Sequence, residues 1–301
     1  MPCAIADRPE MPKINSEGQY MAKKRLLAAA FFILSLPLFA QSGLKITVEE
    51  KDGALTIISS QGSVKELVIP GAINDMPVTA IGEGAFTRRG LASVVIPDSV
   101  AEIGAQAFSF NELSTLVIGN NVTTIGQKAF FSNRLEAVTI GNGVTAIGMG
   151  AFASNNLAEI AIPESVTDIG AYAFFYNKLR TLRIPDGVAS LGEGAFSTNM
   201  LHTLVIGGAV AKVGDGAFYN NRLTSITIPA SITEMGKKVF ESRITRKSSQ
   251  PVVDYVDDKG AVLYTTANNF DTYYSSTGNK SGKYTFTREE GWKLEEPASS
   301  P

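Results

Sequence analysis

The sequence has 301 residues, of which 44% are hydrophobic and 19% are charged, and its formal net charge is −2. This composition suits a folded protein and lacks the basic excess of a nucleic-acid-binding protein, so we expect no nucleic-acid partner. Cys3 is the only cysteine and His202 the only histidine. An intramolecular disulfide and a cysteine-based metal cluster are therefore excluded, and most hydrolase triads and zinc sites lack their usual residues. We expect no metal, no cofactor and no enzymatic activity.

The N-terminal region has the pattern of a signal peptide. A basic segment at residues 23–25 precedes an apolar run at residues 26–39, and Ala40 is a small residue at the predicted cleavage point. The run is short and interrupted, which argues against a permanent membrane helix, so we expect no integral membrane span. We expect residues 1–20 to be untranslated or disordered and residues 21–40 to be the signal peptide. The protein is then exported, and is secreted, on the cell surface or periplasmic.

A 22-residue repeat fills the middle of the chain, and we assign residues 63–241 to eight units of it. Its clearest mark is a phenylalanine that recurs every 22 residues: Phe86, Phe108, Phe130, Phe152, Phe174, Phe196, Phe218 and Phe240. Internal similarity at a period between 20 and 29 residues is typical of a solenoid, in which each unit stacks on its neighbours. We expect the phenylalanines to form the core, because each buries on the order of 150–250 Å².

Each unit begins with a segment in which apolar and more polar residues alternate, which predicts a half-buried strand. The eight segments start at Val64, Leu91, Leu113, Leu135, Leu157, Leu179, Leu201 and Leu223. A later Ile-Gly pair, or an equivalent, contains a glycine that we expect either to have a positive φ or to let neighbouring coils approach closely. The far side of each unit is short, which predicts a tight loop or a single helical turn.

An asparagine follows the phenylalanine by three residues in six units: Asn111, Asn133, Asn155, Asn177, Asn199 and Asn221. We expect a turn ladder, in which the asparagines accept a left-handed backbone and hydrogen-bond the backbone of the adjacent coil, rather than a catalytic or carbohydrate-binding ladder. The first unit differs from the others, because its turn reads GAINDMPVTA where the next unit has DSVAE. This longer turn predicts a local bulge.

Both ends of the solenoid are expected to be capped, because a bare terminal coil exposes apolar surface and an unpaired strand edge. Two apolar segments around residues 51–53 predict a β-hairpin, and we assign residues 41–62 to an N-terminal β-hairpin cap. Residues 242–301 predict a β-rich C-terminal cap with a disordered tail. We expect the aromatic residues of this cap to pack in its core rather than to form a ligand platform.

Strand segments of the form LxxLxI, followed by IGxxAF and the asparagine, resemble the BspA-like, treponemal-type leucine-rich repeats of bacterial surface proteins. The resemblance covers about 180 of the 301 residues. It implies an α/β-type, β-dominated fold, namely a curved right-handed solenoid with parallel strands on its concave face and a β cap at each end. It also implies a protein ligand, which is a host matrix or cell-surface protein or another bacterial surface protein. It supplies no catalytic residues.

The outward side of the strands is the first candidate binding surface. It is flat and weakly charged, and it includes Val117 and Thr139. Its one charged cluster consists of Arg180 and Arg183, with Glu159 and Asp186 nearby. The cluster is either a solvated Arg–Glu ladder or an anchor for an acidic partner, since arginine is enriched at interface hot spots.

The turns after the core phenylalanines are the second candidate surface. They carry extra aromatic residues that the repeat does not require, because these do not occur in every unit: Phe110, Phe131, Phe175, Tyr176 and Tyr219. These side chains either pack against the solenoid or are exposed, and in the exposed case they would form an apolar patch of the kind that marks interaction sites.

The sequence therefore predicts an exported leucine-rich repeat binding protein. It is an adhesin or a protein–protein interaction scaffold for host matrix, host cells or other bacteria. The alternative is a structural or envelope-maintenance protein with no host ligand. The sequence favours neither a monomer nor an oligomer.

Overall fold

The computed structural model describes residues 43–241 without a gap, together with five short strands and Gly278 outside that range. The predicted leader, apart from one strand, and the predicted frayed tail lie outside the described residues. We number the strands β1 to β23 in chain order: Phe32–Leu34, Lys45–Lys51, Ala54–Gln61, Glu66–Val68, Ala72–Ile73, Met76–Ile81, Ser93–Ile96, Glu102–Ile103, Thr115–Ile118, Thr124–Ile125, Ala137–Thr139, Ala146–Ile147, Asp168–Ile169, Thr181–Arg183, Ser190–Leu191, Thr203–Val205, Lys212–Val213, Ser225–Ile228, Glu234–Met235, Tyr255–Val256, Val262–Tyr264, Gly282–Thr287 and Gly291–Glu295.

The coils of the solenoid contribute strands to two parallel arrays. The first strand of each coil belongs to one of two sheets, β4-β7-β9-β11 and β14-β16-β18, which together we call the first-strand array. The second strand of each coil belongs to one continuous row that begins with β3 of the hairpin, which we call the second-strand array: β3-β6-β8-β10-β12-β13-β15-β17-β19. Pairing follows the 22-residue repeat, so that Leu116 lies between Val94 and Val138. The β-dominated solenoid expected from the sequence is confirmed, and the described residues contain no helix.

One coil lacks its first strand, which corrects the prediction of eight such strands. The segment that begins at Leu157 forms no strand, and the first-strand array therefore stops at β11 and resumes at β14. This segment carries Ala158, Glu159 and Ala161. Alanine and glutamate are poorer strand formers than the valine and threonine of neighbouring coils.

The eight phenylalanines form a single stacked column inside the solenoid, as predicted. Neighbouring rings lie 5.1–5.7 Å apart between centroids and are within 11° of parallel. The rings are fully buried except at Phe240, where slight exposure remains. The column is thus the continuous part of the core, and it runs through every coil.

The glycine of each Ile-Gly pair is required by the close approach of adjacent coils. A Cβ atom on Gly126 would lie 2.6 Å from the carbonyl carbon of Gly104, and one on Gly148 would lie 2.8 Å from the nitrogen of Gln127. Neither Gly126 nor Gly148 has a positive φ. Of the two reasons expected for this glycine, close approach is therefore the correct one.

The six asparagines form the predicted ladder between coils. Asn133 accepts a hydrogen bond from the N–H of Leu113 at 3.1 Å, and its amide donates to the carbonyl oxygens of Phe108 at 3.0 Å and Phe130 at 3.2 Å. All six side chains are buried. The prediction of a left-handed backbone at the asparagines is wrong. The positive φ belongs to the residue before each asparagine: Phe110, Ser132, Ser154, Tyr176, Thr198 and Asn220.

The ends of the solenoid are closed by antiparallel strands. At the N-terminal end, β2 and β3 form the predicted hairpin, β3 continues into the second-strand array through β6, and β1 pairs with β2. At the C-terminal end, β22 pairs with both β18 and β23. Tyr284 on β22 is fully buried, as core packing of the cap requires. The other aromatic side chains of the predicted C-terminal cap lie outside the described residues.

The long turn of the first unit is a small hairpin between β5 and β6. Its two turn residues, Asn74 and Asp75, have φ values of 50° and 63°. Two consecutive positive φ values are characteristic of the type I′ turn, which asparagine and aspartate favour. The bulge predicted from the sequence is therefore a regular two-residue hairpin.

Replacing one ring of the column should destabilise the solenoid strongly. For Phe130→Ala we expect a loss of about 3–5 kcal/mol in the free energy of unfolding, because a buried ring is removed and a cavity remains. Urea unfolding followed by circular dichroism measures the loss. Phe131→Ala is the matched control, since the next unit has Ala153 at this position and Phe131 is only half-buried. Equal losses in the two variants would contradict the assignment of the column as the core.

Removing one rung of the asparagine ladder should also destabilise the fold. Asn133→Ala leaves the N–H of Leu113 and two carbonyl oxygens without their partner, and we expect a cost of about 1–3 kcal/mol. The same urea experiment measures it, with Ser132→Ala, which keeps the ladder intact, as the control. If Asn133→Ala is as stable as its control, the ladder contributes nothing to stability.

Candidate interaction surfaces

Three exposed valines lie side by side on the first-strand array. Val68, Val95 and Val117 are directly paired across β4, β7 and β9, and they are 61%, 40% and 43% exposed. Thr139 on β11 continues the row and is also exposed. We call Val68, Val95 and Val117 the valine row. Its side chains point away from the core because successive residues of a strand face opposite sides of the sheet.

The charged cluster predicted around Arg183 has a different membership from the one expected. Arg183 pairs with Asp186 at 2.9 Å and with Glu164 at 3.6 Å, and all three side chains are exposed. Glu159 is exposed and forms no ion pair with a described residue. Exposed pairs of this kind contribute little to stability. Two carboxylates neutralise Arg183, so its charge is largely satisfied within the chain.

The aromatic residues of the turns form two groups. In the first group, the rings of Phe110 and Phe131 meet edge to face with centroids 5.4 Å apart. The guanidinium of Arg88 lies 4.4 Å from the centroid of Phe110, and the ammonium of Lys128 lies 5.8 Å from that of Phe131. Phe110 is exposed and Phe131 is half-buried, so this group is partly packed and partly open to solvent.

The second aromatic group includes a residue that sequence reasoning missed. Phe175 meets Tyr172 edge to face at 5.9 Å and lies 6.0 Å from Tyr176. The Tyr172 hydroxyl donates a hydrogen bond to Glu193, and this bond, with burial and the charge of Glu193, raises the pKa of Tyr172. Tyr172 could have been noticed from the run AYAFFY, in which it stands two residues before the core Phe174.

Tyr219 lies two coils away from Phe175 and Tyr176, and it lines a depression that Tyr172 of this group also lines. The depression has a volume of about 380 Å³, and Tyr172, Glu193 and Ser197 are also in its walls. Tyr219 is half-buried. The structure therefore places Phe175 and Tyr176 together, places Phe110 and Phe131 together, and sets Tyr219 apart from both pairs.

A cleft of about 520 Å³ opens beside the asparagine ladder, and sequence reasoning missed it. Its rim is formed by Tyr176, Lys178, Met200 and Arg222, and the ladder residues lie along its wall. The described residues that line it include two cations and no carboxylate. We call this the basic cleft. The sequence does contain a signal for it at the repeat position directly after the ladder asparagine, where the later coils have basic or neutral residues and no acidic one: Glu112, Arg134, Asn156, Lys178, Met200 and Arg222.

His202 lies close to the basic cleft. It is half-buried. Burial lowers the pKa of His202, and the positive charges of Arg222 and Arg180 lower it further, while a backbone hydrogen bond involving Met200 opposes the shift. The predicted site residue Arg180 therefore belongs with His202 and Arg222, and not with the ion pairs of Arg183.

The repeat that carries these surfaces matches a known family. The model of the BspA type leucine-rich repeat region matches residues 60–179 and 125–247 and has six copies in the chain. These matches cover more than half of the sequence. The chain belongs to this family. None of the curated proteins matches it.

The solved structures that are similar to this chain include other bacterial leucine-rich repeat proteins. A leucine-rich cell-surface protein of Faecalibacterium prausnitzii is 22% identical, with 73% of this chain and 82% of that chain covered and a TM-score of 0.29. The leucine-rich repeat protein of T. pallidum is also 22% identical, with coverages of 54% and 79% and a TM-score of 0.37. One from Bacteroides ovatus is 17% identical, with coverages of 64% and 89% and a TM-score of 0.39.

The described residues of this BspA-type chain form neither a metal site nor a membrane-spanning helix. Across the residues that the structure describes, no three histidine, cysteine, aspartate or glutamate side chains are grouped so that they could hold a metal ion. The described part of the chain likewise has no helix with the length and hydrophobicity needed to cross a membrane.

The lowered pKa of His202 predicts a pH-dependent loss of stability in this BspA-type protein. The unfolded chain binds the imidazole proton more readily than the folded chain does, so stability falls as the pH drops below the ordinary histidine value of about 6.5. His202→Thr, which copies Thr224 one coil later, should lose less stability on acidification from about pH 7.5 to about pH 5.5. Urea midpoints at both pH values check this, and identical pH dependence in the two proteins would contradict it.

Proposed function

We propose that this BspA-type protein is an exported binding protein that acts as an adhesin or as a protein–protein interaction scaffold. Its partner is a protein of the host matrix, of the host cell surface or of another bacterium. Family membership supports the interaction role, because BspA-type repeats occur in bacterial surface proteins. The proposed role is non-enzymatic, as is typical of leucine-rich repeat solenoids.

The valine row is the observation that carries this proposal. Three aliphatic side chains are exposed next to each other on a regular sheet, where a ligand can cover all of them at once. The fold does not need valine there, because Thr139 and Thr227 occupy the same position in other coils. Contiguous exposed apolar side chains of this kind mark interaction surfaces. Arg183, with its two carboxylate partners, would form a polar edge of the same surface.

The aromatic turns provide a second surface for the same partner or for another one. Phe110 and Tyr176 are both exposed, and the repeat accepts Ser132 and Ser154 in their place. Aromatic residues are enriched at the buried centres of protein interfaces, where they contribute most of the binding energy. The proposed roles of Phe131 and Phe175 are to support these exposed rings from below, and Tyr219 is proposed to extend the second group through the depression that it lines together with Tyr172.

A binding experiment with matched variants tests the proposal. The purified full-length chain is offered to immobilised collagen and laminin and to intact cells of other bacteria, and saturable binding is measured by surface plasmon resonance or flow cytometry. The strand variant Val68→Thr/Val95→Thr/Val117→Thr should weaken binding at least tenfold, because three apolar contacts are lost. The substitutions copy residues that the repeat already uses, so the fold should be kept.

The turn variant Phe110→Ser/Phe131→Ala is the comparison, and it also uses residues found in neighbouring coils. Loss of binding in this variant alone would move the binding surface from the strands to the turns. If the intact chain shows no saturable binding to any of these partners, the adhesin proposal is wrong. A structural or envelope-maintenance role would then replace it.

A further inference from the structure

We propose that two copies of the exported chain dimerise through their β2 strands once the leader that covers β2 has been removed. In the structure, β1 pairs with one side of β2 and β3 pairs with the other side. β1 spans Phe32–Leu34 and so lies inside the predicted signal peptide, residues 21–40. This inference rests on the export that is part of the proposed function, and it adds a second copy of this chain as a partner.

Removal of β1 leaves β2 at the edge of its sheet. With the seven residues Lys45–Lys51, β2 is then the longest of the described strands that has an unpaired edge. It contains no proline, and the extra residue of the hairpin's bulge is Ile58 on β3, so β2 itself is regular. A long edge strand without proline or an extra residue is a template for pairing with another chain.

The two ends of the solenoid differ in what covers them. At the C-terminal end, β22 and β23 of the chain's own cap extend the sheet beyond β18. At the N-terminal end, the only described strand that pairs with the outer side of β2 is β1 of the leader. The exported form therefore lacks a strand at its N-terminal end alone.

The sequence of β2 is complementary to itself in one antiparallel register. A two-fold axis through Thr47 places Lys45 of each copy directly opposite Glu49 of the other. Lys45 and Glu49 are exposed, and neither forms an ion pair with a described residue of its own chain. Opposite charges that face each other across an antiparallel pair stabilise it. The symmetry provides this contact twice, which favours a second copy over an unrelated strand.

The opposite face of β2 fits the same register. Ile46 and Val48 are each 1% exposed and belong to the hydrophobic core of the N-terminal cap. The axis through Thr47 places Ile46 of one copy opposite Val48 of the other. Aliphatic pairs of this kind stabilise neighbouring strands, so the apolar core would continue from one copy into the next.

The neighbouring register lacks this complementarity. A two-fold axis through Val48 would place Lys45 opposite Lys51. It would also place Ile46 opposite Glu50, an aliphatic side chain against a carboxylate. Like charges directly across a strand pair are destabilising. The residues of β2 therefore specify the first register.

The dimer would join two solenoids at their N-terminal ends, with their second-strand arrays in one sheet. A closed two-fold assembly of this kind is the commonest form of oligomer. Each copy contributes its own valine row, so a surface that presents many copies of the partner would be held at two points. Binding at two points raises the overall affinity without any new type of contact.

Light scattering with size-exclusion chromatography tests the proposal on the chain from Gln41 to Pro301, which is the exported form. We expect this chain to be a dimer at micromolar concentration. Lys45→Glu and Glu49→Lys each place two pairs of like charges in the interface, and each should weaken dimerisation at least tenfold. Glu66→Lys makes the same charge change on an exposed residue of β4, and this control should remain a dimer.

A mixture of the two charge variants separates the interface from a folding defect. When Lys45→Glu and Glu49→Lys are combined in equal amounts, opposite charges face each other again at both places. Native mass spectrometry should therefore show the mixed dimer in excess over either dimer of one variant. Equal urea midpoints for the variants and the natural chain check that the fold is kept.

A cysteine on the two-fold axis reports the register directly. The exported form has no cysteine of its own, because Cys3 is the only one in the sequence. The new thiol in Thr47→Cys faces its counterpart, at the Cα separation of directly opposed antiparallel residues, about 4.5–5.5 Å, which a disulfide can span. Mild oxidation should cross-link this variant into dimers. Lys51→Cys is the control, because its counterpart lies at the far end of the paired segment.

The uncleaved chain tests the role of the leader. In the full-length variant Cys3→Ser/Thr47→Cys, β1 lies along β2 with Ile33 opposite Thr47, and cross-linking should be lost. The intact mass of the exported protein gives its native N-terminus. An exported protein that retains Phe32–Leu34, or an uncleaved variant that cross-links as readily as the exported form, would contradict the proposal.

Further results would also overturn it: a natural exported form that is monomeric at micromolar concentration, charge variants that form no mixed dimer, or cross-linking of Lys51→Cys as efficient as that of Thr47→Cys. The proposed function is judged separately. Monomeric Lys45→Glu should bind the protein partner in solution with unchanged affinity and should lose only avidity on an immobilised partner. A chain that dimerises but binds none of the partners would refute the adhesin role and leave the dimer intact.

Discussion

The close spacing of adjacent coils is the constraint on which the rest of this structure depends. Backbone hydrogen bonds between coils hold them at about the distance of neighbouring strands, roughly 4.8 Å. At that spacing the phenylalanine rings stack 5.1–5.7 Å apart, and Gly126 has no room for a Cβ atom. An asparagine side chain is long enough to reach two coils, and Asn133 does so. The residues that recur in the sequence are those that this spacing allows.

This constraint explains which features could be predicted from the sequence. The phenylalanine column, the first strands and the terminal hairpin leave a repeated or alternating pattern, because each position has the same environment in every coil. The second-strand array repeats too, but it leaves no alternating pattern that predicts a strand, since its strands within the repeat, such as Thr124–Ile125, are two residues long. The left-handed backbone was expected at the asparagine itself, but the ladder holds Asn133 by its side chain and leaves its backbone conformation ordinary. The unusual φ then falls on Ser132.

The interaction surfaces were harder to predict, because neighbours across coils are far apart in sequence. Lys178 and Arg222 are two repeats apart and still line the same cleft. Arg180 and Arg183 are close in sequence, yet one lies beside His202 and the other is paired with Asp186 and Glu164. A solenoid surface is therefore best read down the columns of aligned repeats. Reading along the chain groups residues that do not share a surface.

The missing strand between β11 and β14 has a mechanical consequence. Elsewhere two strand arrays, the ring column and the asparagine ladder all join one coil to the next. At the coil that begins with Leu157, the first-strand array contributes no ladder, so fewer backbone hydrogen bonds resist separation there. A tensile load along the solenoid axis would concentrate at this coil. The valine row lies wholly on the N-terminal side of that coil, whereas Tyr176 and Lys178 of the coil itself line the basic cleft, so such a load would act on the cleft more directly than on the valine row.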